Sequence, residues 1–482
     1  MKKITKILTI SLSIVAILAI PASQITLLYT IPSQFDETYY GEFAHMYHKV
    51  KDCQGKKIVI VGNSNVAFGV DSALLEKQLR ADGLDYSVCN YGLYISLGTK
   101  FMLDTVKNQI KKDDIVIFTP ELISQAMSLY YSSKEVWYAL DSDLSLLSTL
   151  DNSCLQSQIG SMNTYIGEKY EYFVSGNKAQ SGTTYSQASF DDNCDFKNSP
   201  RAYNTMENLY DSNTMLSFST DLLTDSFISY VNTFYQDISA KGAKMYYSFA
   251  PMNFLSIKLD NFFTDINNFS DALDEKLDFP IISSPFNYIM NPGWFFDANV
   301  HLNEAGMTFR TNLLASDIKN QFSITTPNTL ITVPEMPEVP ITPVDTDGDN
   351  SDLDCFEYET STDSVRITSL SNKGRTESEI IVPTSYNSLP ITGFDASVFQ
   401  NNLSLRKLTI QKNIKTLADY SFSGSTNIQG IYLTQTDPES LGVGFNLLEN
   451  CPTCYVYVPT SSFSKYLNNY YWGHYAAKIQ KY

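Results

Sequence analysis

A serine hydroxyl becomes a useful nucleophile when it stands exposed at the end of a strand, close to a helix N-terminus, with an imidazole in reach to take its proton. Two stretches of this 482-residue chain carry residues of the right types. Gly62-Asn63-Ser64-Asn65 closes the apolar run Lys57-Ile58-Val59-Ile60-Val61, which puts Ser64 at a strand end. Asp297-Ala298-Asn299-Val300-His301-Leu302-Asn303-Glu304 sets a carboxylate shortly before a histidine, with Asn303 suited to cap the following helix. The chemistry predicted is acyl transfer, with Ser64 attacking, His301 as general base and then acid, and Asp297 orienting the ring. Taken alone, a Gly-x-Ser after a strand is more often a turn than a nucleophile, and a histidine is often only a hydrogen-bonded structural residue.

The elements that would position these residues alternate strand and helix. After the first strand, Asp71 to Arg80 reads as a helix with Leu74, Leu75 and Leu79 on one face. Tyr86-Ser87-Val88-Cys89 is a second strand running into Asn90-Tyr91-Gly92, and Thr99 to Lys111 a helix. Asp114-Ile115-Val116-Ile117-Phe118 is a third strand, ending at Thr119-Pro120-Glu121. Lys244 to Phe249 and Phe279-Pro280-Ile281-Ile282 supply later strands. This order predicts an α/β fold, a doubly wound parallel sheet with helices on both faces and flavodoxin-like layering. Between about 130 and 222 the rhythm lapses into a Ser-, Asn- and Tyr-rich insertion, expected to pack over the active-site edge.

Residues 325–353 are rich in proline and aspartate and predict a stiff, extended linker. Beyond it lies an internal repeat. Ile391, Phe394, Phe399, Leu405, Leu408 and Ile410 recur 23 residues later as Ile414, Leu417, Phe422, Ile428, Ile431 and Leu433. The same step again reaches Phe445, Cys451, Cys454 and Val456, a partial third unit of the kind expected of a cap. Cys451 and Cys454 are thus expected to be buried small hydrophobes of a solenoid rather than a zinc or redox pair. The domains expected are 1–30, a signal peptide or signal anchor; 31–324, the α/β domain; 325–353, the linker; and 354–482, the repeats.

The blocks around Ser64, Gly92 and His301 resemble those of SGNH (GDSL-type) hydrolases. The resemblance implies a Ser64-His301-Asp297 site and an oxyanion hole formed by the backbone N–H groups of Ser64 and Gly92. Two departures stand out. Three residues, not two, separate Asp297 from His301, and the third block offers Glu121 where the family has an asparagine donor. Asn63 and Asn253 are the candidates to replace that donor. Ile31-Pro32-Ser33-Gln34-Phe35-Asp36-Glu37-Thr38-Tyr39-Tyr40-Gly41-Glu42, Ala67-Phe68-Gly69-Val70-Asp71-Ser72 and Gly92-Leu93-Tyr94 through Leu97-Gly98-Thr99-Lys100 further resemble membrane-anchored SGNH proteins of Gram-positive gut bacteria. That likeness implies a surface glycan as substrate and a membrane O-acyltransferase as partner. Ala396-Ser397-Val398-Phe399 and Tyr420-Ser421-Phe422-Ser423-Gly424 resemble the bacterial surface-protein type of leucine-rich repeat over roughly 378–482, with Tyr455-Val456-Tyr457-Val458-Pro459 and Tyr471-Trp472 as its cap.

A net charge of -18 and a pI near 4.6 exclude nucleic acid as a partner, because phosphate would be repelled. Met1-Lys2-Lys3 and Lys6 precede an apolar run from Ile7 to about Tyr29, an export signal either retained as an anchor or cleaved near Pro21-Ala22-Ser23. The bulk of the chain is expected outside the cell in both cases. Seven cysteines, an odd number, do not make a disulfide framework, although Cys154 and Cys194 could bridge the insertion. His45, His48 and His474 lack partners at metal-ligand spacing, so neither a metal nor a cofactor is expected. The function expected is an extracytoplasmic esterase or O-acyltransferase acting on a surface glycan. The alternative is a non-catalytic adhesion protein whose repeats bind a protein ligand.

Overall fold

The computed structural model describes residues 23–197, 201–257, 262–334, 348–444, 446–451 and 454–482. Contacts divide the chain into two compact units, Met1–Ser256 with Phe269–Pro334, and Ile257–Asn268 with Glu335–Tyr482. Most of the expected export segment, residues 7–22, lies outside the described residues. Among the described residues no helix is long and apolar enough to cross a membrane.

In the first unit, β1 (Lys57–Gly62), β2 (Ser87–Gly92), β3 (Ile115–Thr119) and β4 (Lys244–Tyr247) form a parallel sheet in the order β2-β1-β3-β4. Its central strand β1 is buried along its whole length, which is why it reads as an unbroken β-branched run rather than an alternating one. The period of two sends Ile58 and Ile60 to one face, with Val88, Ile115 and Ile117. There they meet Leu75 and Leu79 of the helix Ser72–Ala81 and Leu314, Ala315 and Ile318 of the helix Glu304–Asn320. On the other face Tyr91 meets Phe43 of the helix Glu42–Asp52, and Phe118 meets Phe227 of the helix Asp225–Ser239. Helices therefore cover both faces of the parallel sheet.

Local signals explain the helix starts. The Asp71 carboxylate accepts from Leu74 N at 2.9 Å, and the Asn303 amide oxygen accepts from Gly306 N at 2.8 Å. The segment expected as a strand over 279–282 contributes only an isolated parallel bridge, Tyr247 to Ile281. Residues 325–334, assigned above to the linker, pack on this unit. Ile331 is buried in the core, Leu330 N donates to Gln78 Oε1 at 2.7 Å, and the Lys319 ammonium donates to the Thr326 carbonyl. The other described end of that stretch, 348–353, is hydrogen-bonded within the second unit, Gly348 N to Gln411 and Ile381 N to Asp352.

The second unit is a stack of repeats carrying two sheets of short strands. Leu408 and Ile431, and Ile410 and Leu433, which the 23-residue step equates, are direct neighbours on parallel strands. Phe399 and Phe422 stack with ring centroids 5.3 Å apart. In the third repeat the register slips by two residues: Ile431 pairs with Val456, not Cys454. Cys451 and Cys454 are both fully buried, as repeat-core residues should be. Buried glutamines staple one turn to the next, Gln411 Nε2 donating to the Val382 carbonyl and Gln435 Nε2 to the Gln411 carbonyl. That satisfies backbone groups which the bends of a solenoid leave unpaired.

Candidate active site

The turn after β1 is the foundation of the site. Gly62 and Gly92 lie side by side at the C-terminal ends of β1 and β2, and Ser64 opens the short helix Ser64–Ala67 directly above them. A Cβ on Gly92 would lie 2.4 Å from Val66 Cβ and 2.5 Å from the Asn63 carbonyl, so only glycine lets this turn sit so low over the sheet. Asn65 ties the turn to its neighbours, its Oδ1 accepting from Asn63 N at 3.0 Å and its Nδ2 donating to the Thr119 carbonyl at 3.1 Å. From the helix Glu304–Asn320 the buried Arg310 donates to the Asn65 carbonyl and to Thr119 Oγ1. Ser64 is thereby held at the edge where ligands of open α/β sheets bind.

His301 reaches the same edge from a loop closed by Phe296 N donating to its carbonyl at 2.8 Å. Its Nδ1 lies 2.8 Å from Asp297 Oδ1, so the longer Asp-His spacing still forms the pair. Asp297 Oδ2 accepts from the Tyr185 hydroxyl at 2.6 Å. Burial pushes the Asp297 carboxyl up, but the hydrogen bond and charge of His301, with the Tyr185 hydroxyl, overcome it and hold the group below its ordinary value. The acid is therefore the anion that favours N–H at Nδ1 and leaves Nε2 as the basic nitrogen. Phe68 stacks on the imidazole, and Arg201 of the insertion donates to the Phe68 and Leu302 carbonyls on either side.

Ser64 and His301 line one cavity of about 660 Å³ with Tyr39, Tyr94, Glu121 and Tyr185. They are not hydrogen-bonded to each other. The Ser64 hydroxyl donates instead to Glu121 Oε1 at 3.3 Å, and Asn65 N donates to the same oxygen at 3.3 Å. Burial pushes the Glu121 carboxyl up, against the lowering effects of His301, of hydrogen bonds from Asn65 and Ser64, and of Arg310. The expected donors fare unevenly. Ser64 N–H belongs to the first turn of a helix, where no intrahelical carbonyl is available to it. Gly92 N–H is taken up by Asn90 Oδ1 at 3.2 Å. The Asn63 amide is fully buried, neither of its atoms has a partner among the described residues, and it does not line the cavity. Asn253 is committed elsewhere, donating to the Leu209 carbonyl and accepting from Leu255 N.

Sequence reasoning singled out neither Tyr185 nor Arg201, and it gave no role to Tyr39 or Phe68, which stand in the segments quoted for the family resemblance. Three of the four lie in segments with no strand or helix period, and only the density of tyrosine in the insertion pointed that way. Elsewhere in this unit Asp104, Asp151 and Cys154 come within metal-ligand distance of one another, but the Lys100 ammonium bridges the two carboxylates. Cys154 and Cys194 are free thiols, Cys194 meeting the Glu42 carboxyl. His45 pairs with Glu42 and His48 with Asp143. The second unit has a cavity of its own, about 880 Å³, lined by Asp419, Asn446, Glu449, Tyr470, Tyr471 and Tyr475 among others.

No family model and no curated protein matches the chain. Solved structures that overlap part of it include two leucine-rich repeat proteins. One is a leucine rich cell surface protein from Faecalibacterium prausnitzii, 15% identical with a TM-score of 0.19, over 21% of this chain and 28% of that one. The other is a leucine rich repeat protein of T. pallidum, 18% identical with a TM-score of 0.18, over 22% of this chain and 59% of that one. The chain thus spans less than two thirds of either, and the repeat architecture of the second unit rests on its own strand register.

Proposed function

We propose that the first unit, about residues 31–334, is a serine acyl-transfer enzyme of the SGNH type that works outside the cell on O-acyl groups of a surface glycan. The observation that carries this reading is the meeting of Ser64 and His301 on one cavity, with Asp297 on the far nitrogen of the imidazole. The Ser64 hydroxyl turns from Glu121 to His301 Nε2 and attacks the acyl carbonyl, and its proton passes to Nε2 as the Oγ–C bond forms. Collapse of the tetrahedral intermediate breaks the bond to the leaving sugar oxygen, which takes the proton from His301. Water, or the hydroxyl of an acceptor, then releases the acyl group from Ser64 by the same steps in reverse. Tyrosines on the cavity wall offer stacking faces and hydroxyls of the kind that suit a sugar ring. Fluorophosphonate labelling of the full chain tests the reading: wild type labels at Ser64 and Ser64→Ala does not. A folded wild type that never labels ends it.

A second reading, ligand binding by the repeats with the first unit as a scaffold, draws support from the tyrosine-lined cavity of the second unit and from the Ser64 hydroxyl facing Glu121 rather than His301. Deleting 378–482 and assaying adhesion against surface O-acetyl content separates the two.

A further inference from the structure

Among the described residues Glu121 is the one carboxyl hydrogen-bonded to Ser64, and its two oxygens have different surroundings. Oε1 is pinned, accepting from both the Ser64 hydroxyl and Asn65 N. Oε2 has no protein partner among the described residues, yet it is not among the enclosed unpartnered atoms, and Glu121 lines the cavity. The rest of the residue is sequestered, with 3% of its surface exposed. We infer that Glu121 is a catalytic residue in its neutral form, presenting an Oε2–H donor to the acyl oxygen that becomes negative when Ser64 attacks. This deepens the acyl-transfer reading above and rests on it.

The physical argument has three parts. A carboxylate here would set a second negative charge against the forming oxyanion, whereas the neutral acid supplies a hydrogen bond at the place where charge develops. An acid kept neutral by burial can serve as such a donor at neutral pH. Among its neighbours, His301 and Arg310 favour ionisation, and Tyr39 faces it as a neutral phenol, its own ionisation suppressed chiefly by burial. Burial outweighs these effects and the hydrogen bonds from Asn65 and Ser64, so the direction of the shift is upward. Oε1, as the carbonyl oxygen of the neutral acid, accepts the two hydrogen bonds observed. Each electron pair and proton remains as in the acyl transfer written above. Glu121 donates a hydrogen bond without losing its proton.

The competing role for Glu121 is general base, and the two differ in sign. As a donor, Glu121 makes the reaction slow as pH rises through its ionisation; as a base, it makes the reaction slow as pH falls through it. The test is the rate of fluorophosphonate labelling against pH for the full chain, with Glu121→Gln and Glu121→Ala, and carboxyl carbon NMR of the Glu121 signal, assigned by its absence in Glu121→Gln. The expected results are a neutral Glu121 at pH 7, a loss of at least about a hundredfold in Glu121→Ala, and a slowing of less than about tenfold in Glu121→Gln, whose amide still donates, with the alkaline decline gone. An ionised Glu121 at pH 7, or a Glu121→Gln protein as slow as Glu121→Ala while its thermal melt matches wild type, overturns the inference and leaves Ser64 chemistry standing. A wild type that never labels sinks the acyl-transfer reading and this inference together.

Discussion

Phe68 lies face to face with His301, ring centroids 4.0 Å apart and planes within 5° of parallel. Phe68 in turn stacks on Phe196 at 4.0 Å, so the imidazole is the end plate of a three-ring pile fixed at its other end by the insertion. With Nδ1 on Asp297 and one face on Phe68, the ring has little freedom to tilt.

Replacing Phe68 should therefore harm reactivity and stability together. Phe68→Ala removes a fully buried ring and should cost about 3–5 kcal/mol in unfolding free energy. Phe68→Leu retains most of the volume but not the flat contact. Its labelling rate should fall by on the order of tenfold while it stays folded, since small misplacements of a catalytic group are costly. An unchanged rate in Phe68→Leu would show that Asp297 alone orients His301.

Asp297→Asn leaves the shape of the loop but removes the anion that selects the Nδ1–H form. Labelling should drop by on the order of 10⁴-fold, as when an orienting acid is lost from a Ser-His-Asp site. Tyr185→Phe should have a far smaller effect on rate. It removes one of the hydrogen bonds that hold Asp297 down, so the Asp297 carboxyl should ionise at higher pH, which titration of its carbon signal would read.

The first unit should end at Pro334 rather than near Ser323. Ile331 is buried in its core and Leu330 N is hydrogen-bonded to Gln78, so a chain stopped at Ser323 should lose at least about 2 kcal/mol relative to one stopped at Pro334. Denaturant melts of the two fragments decide this, and coincident curves would refute it.

Asp195 is buried in the insertion, where it accepts from Ser72 N, Ser72 Oγ and Asn90 Nδ2. Burial, helped by Asp191, pushes its carboxyl up to about 7. The folded state thus holds a proton that the unfolded chain releases near pH 4, and stability contributed by Asp195 is full below that value and falls as pH rises to about 7. The difference in melting temperature between wild type and Asp195→Asn should shift against wild type over this window, and a constant difference would show that Asp195 ionises normally.

Cys53 is only partly buried, and a hydrogen bond from Cys89 draws its thiol well below the ordinary range, against the opposing effect of burial. The same contact, together with burial, pushes Cys89 up. Brief treatment with iodoacetamide at pH 7 should modify Cys53 ahead of the other cysteines, because the thiolate is the reactive form. Peptide mapping that finds another cysteine modified first would contradict this.

Legibility in the sequence followed periodicity. The strand that ends at Ser64 was readable because its apolar run is unbroken, and the pairing of Leu408 with Ile431 because repeats write their contacts at constant spacing, whereas His301 and Asp297 stood out only by residue type ahead of the Asn303 cap. Tyr185 was not readable, since a loop phenol acquires its role only when the insertion folds back on the loop around Asp297. Glu121 stood out in sequence as an ionised group out of place, and the burial that alters its chemistry is a tertiary property. The third repeat falls out of step because the stretch between the strands Gly430–Leu433 and Gly442–Val443, which holds the turn Pro438–Ser440, has eight residues where the preceding repeat has five between Lys407–Ile410 and Thr416–Leu417, a change that fixed subtraction cannot follow.

The two hydrogen bonds from Arg310 also set a timetable. They span 245 positions to Asn65 and 191 to Thr119, so the turn bearing Ser64 is braced by residues made long after it. Such distant closure is slow and comes late in folding. A growing chain carries an unbraced Ser64 turn until the helix Glu304–Asn320 docks, so the proposed acyl transfer would have no finished site until the first unit is nearly whole.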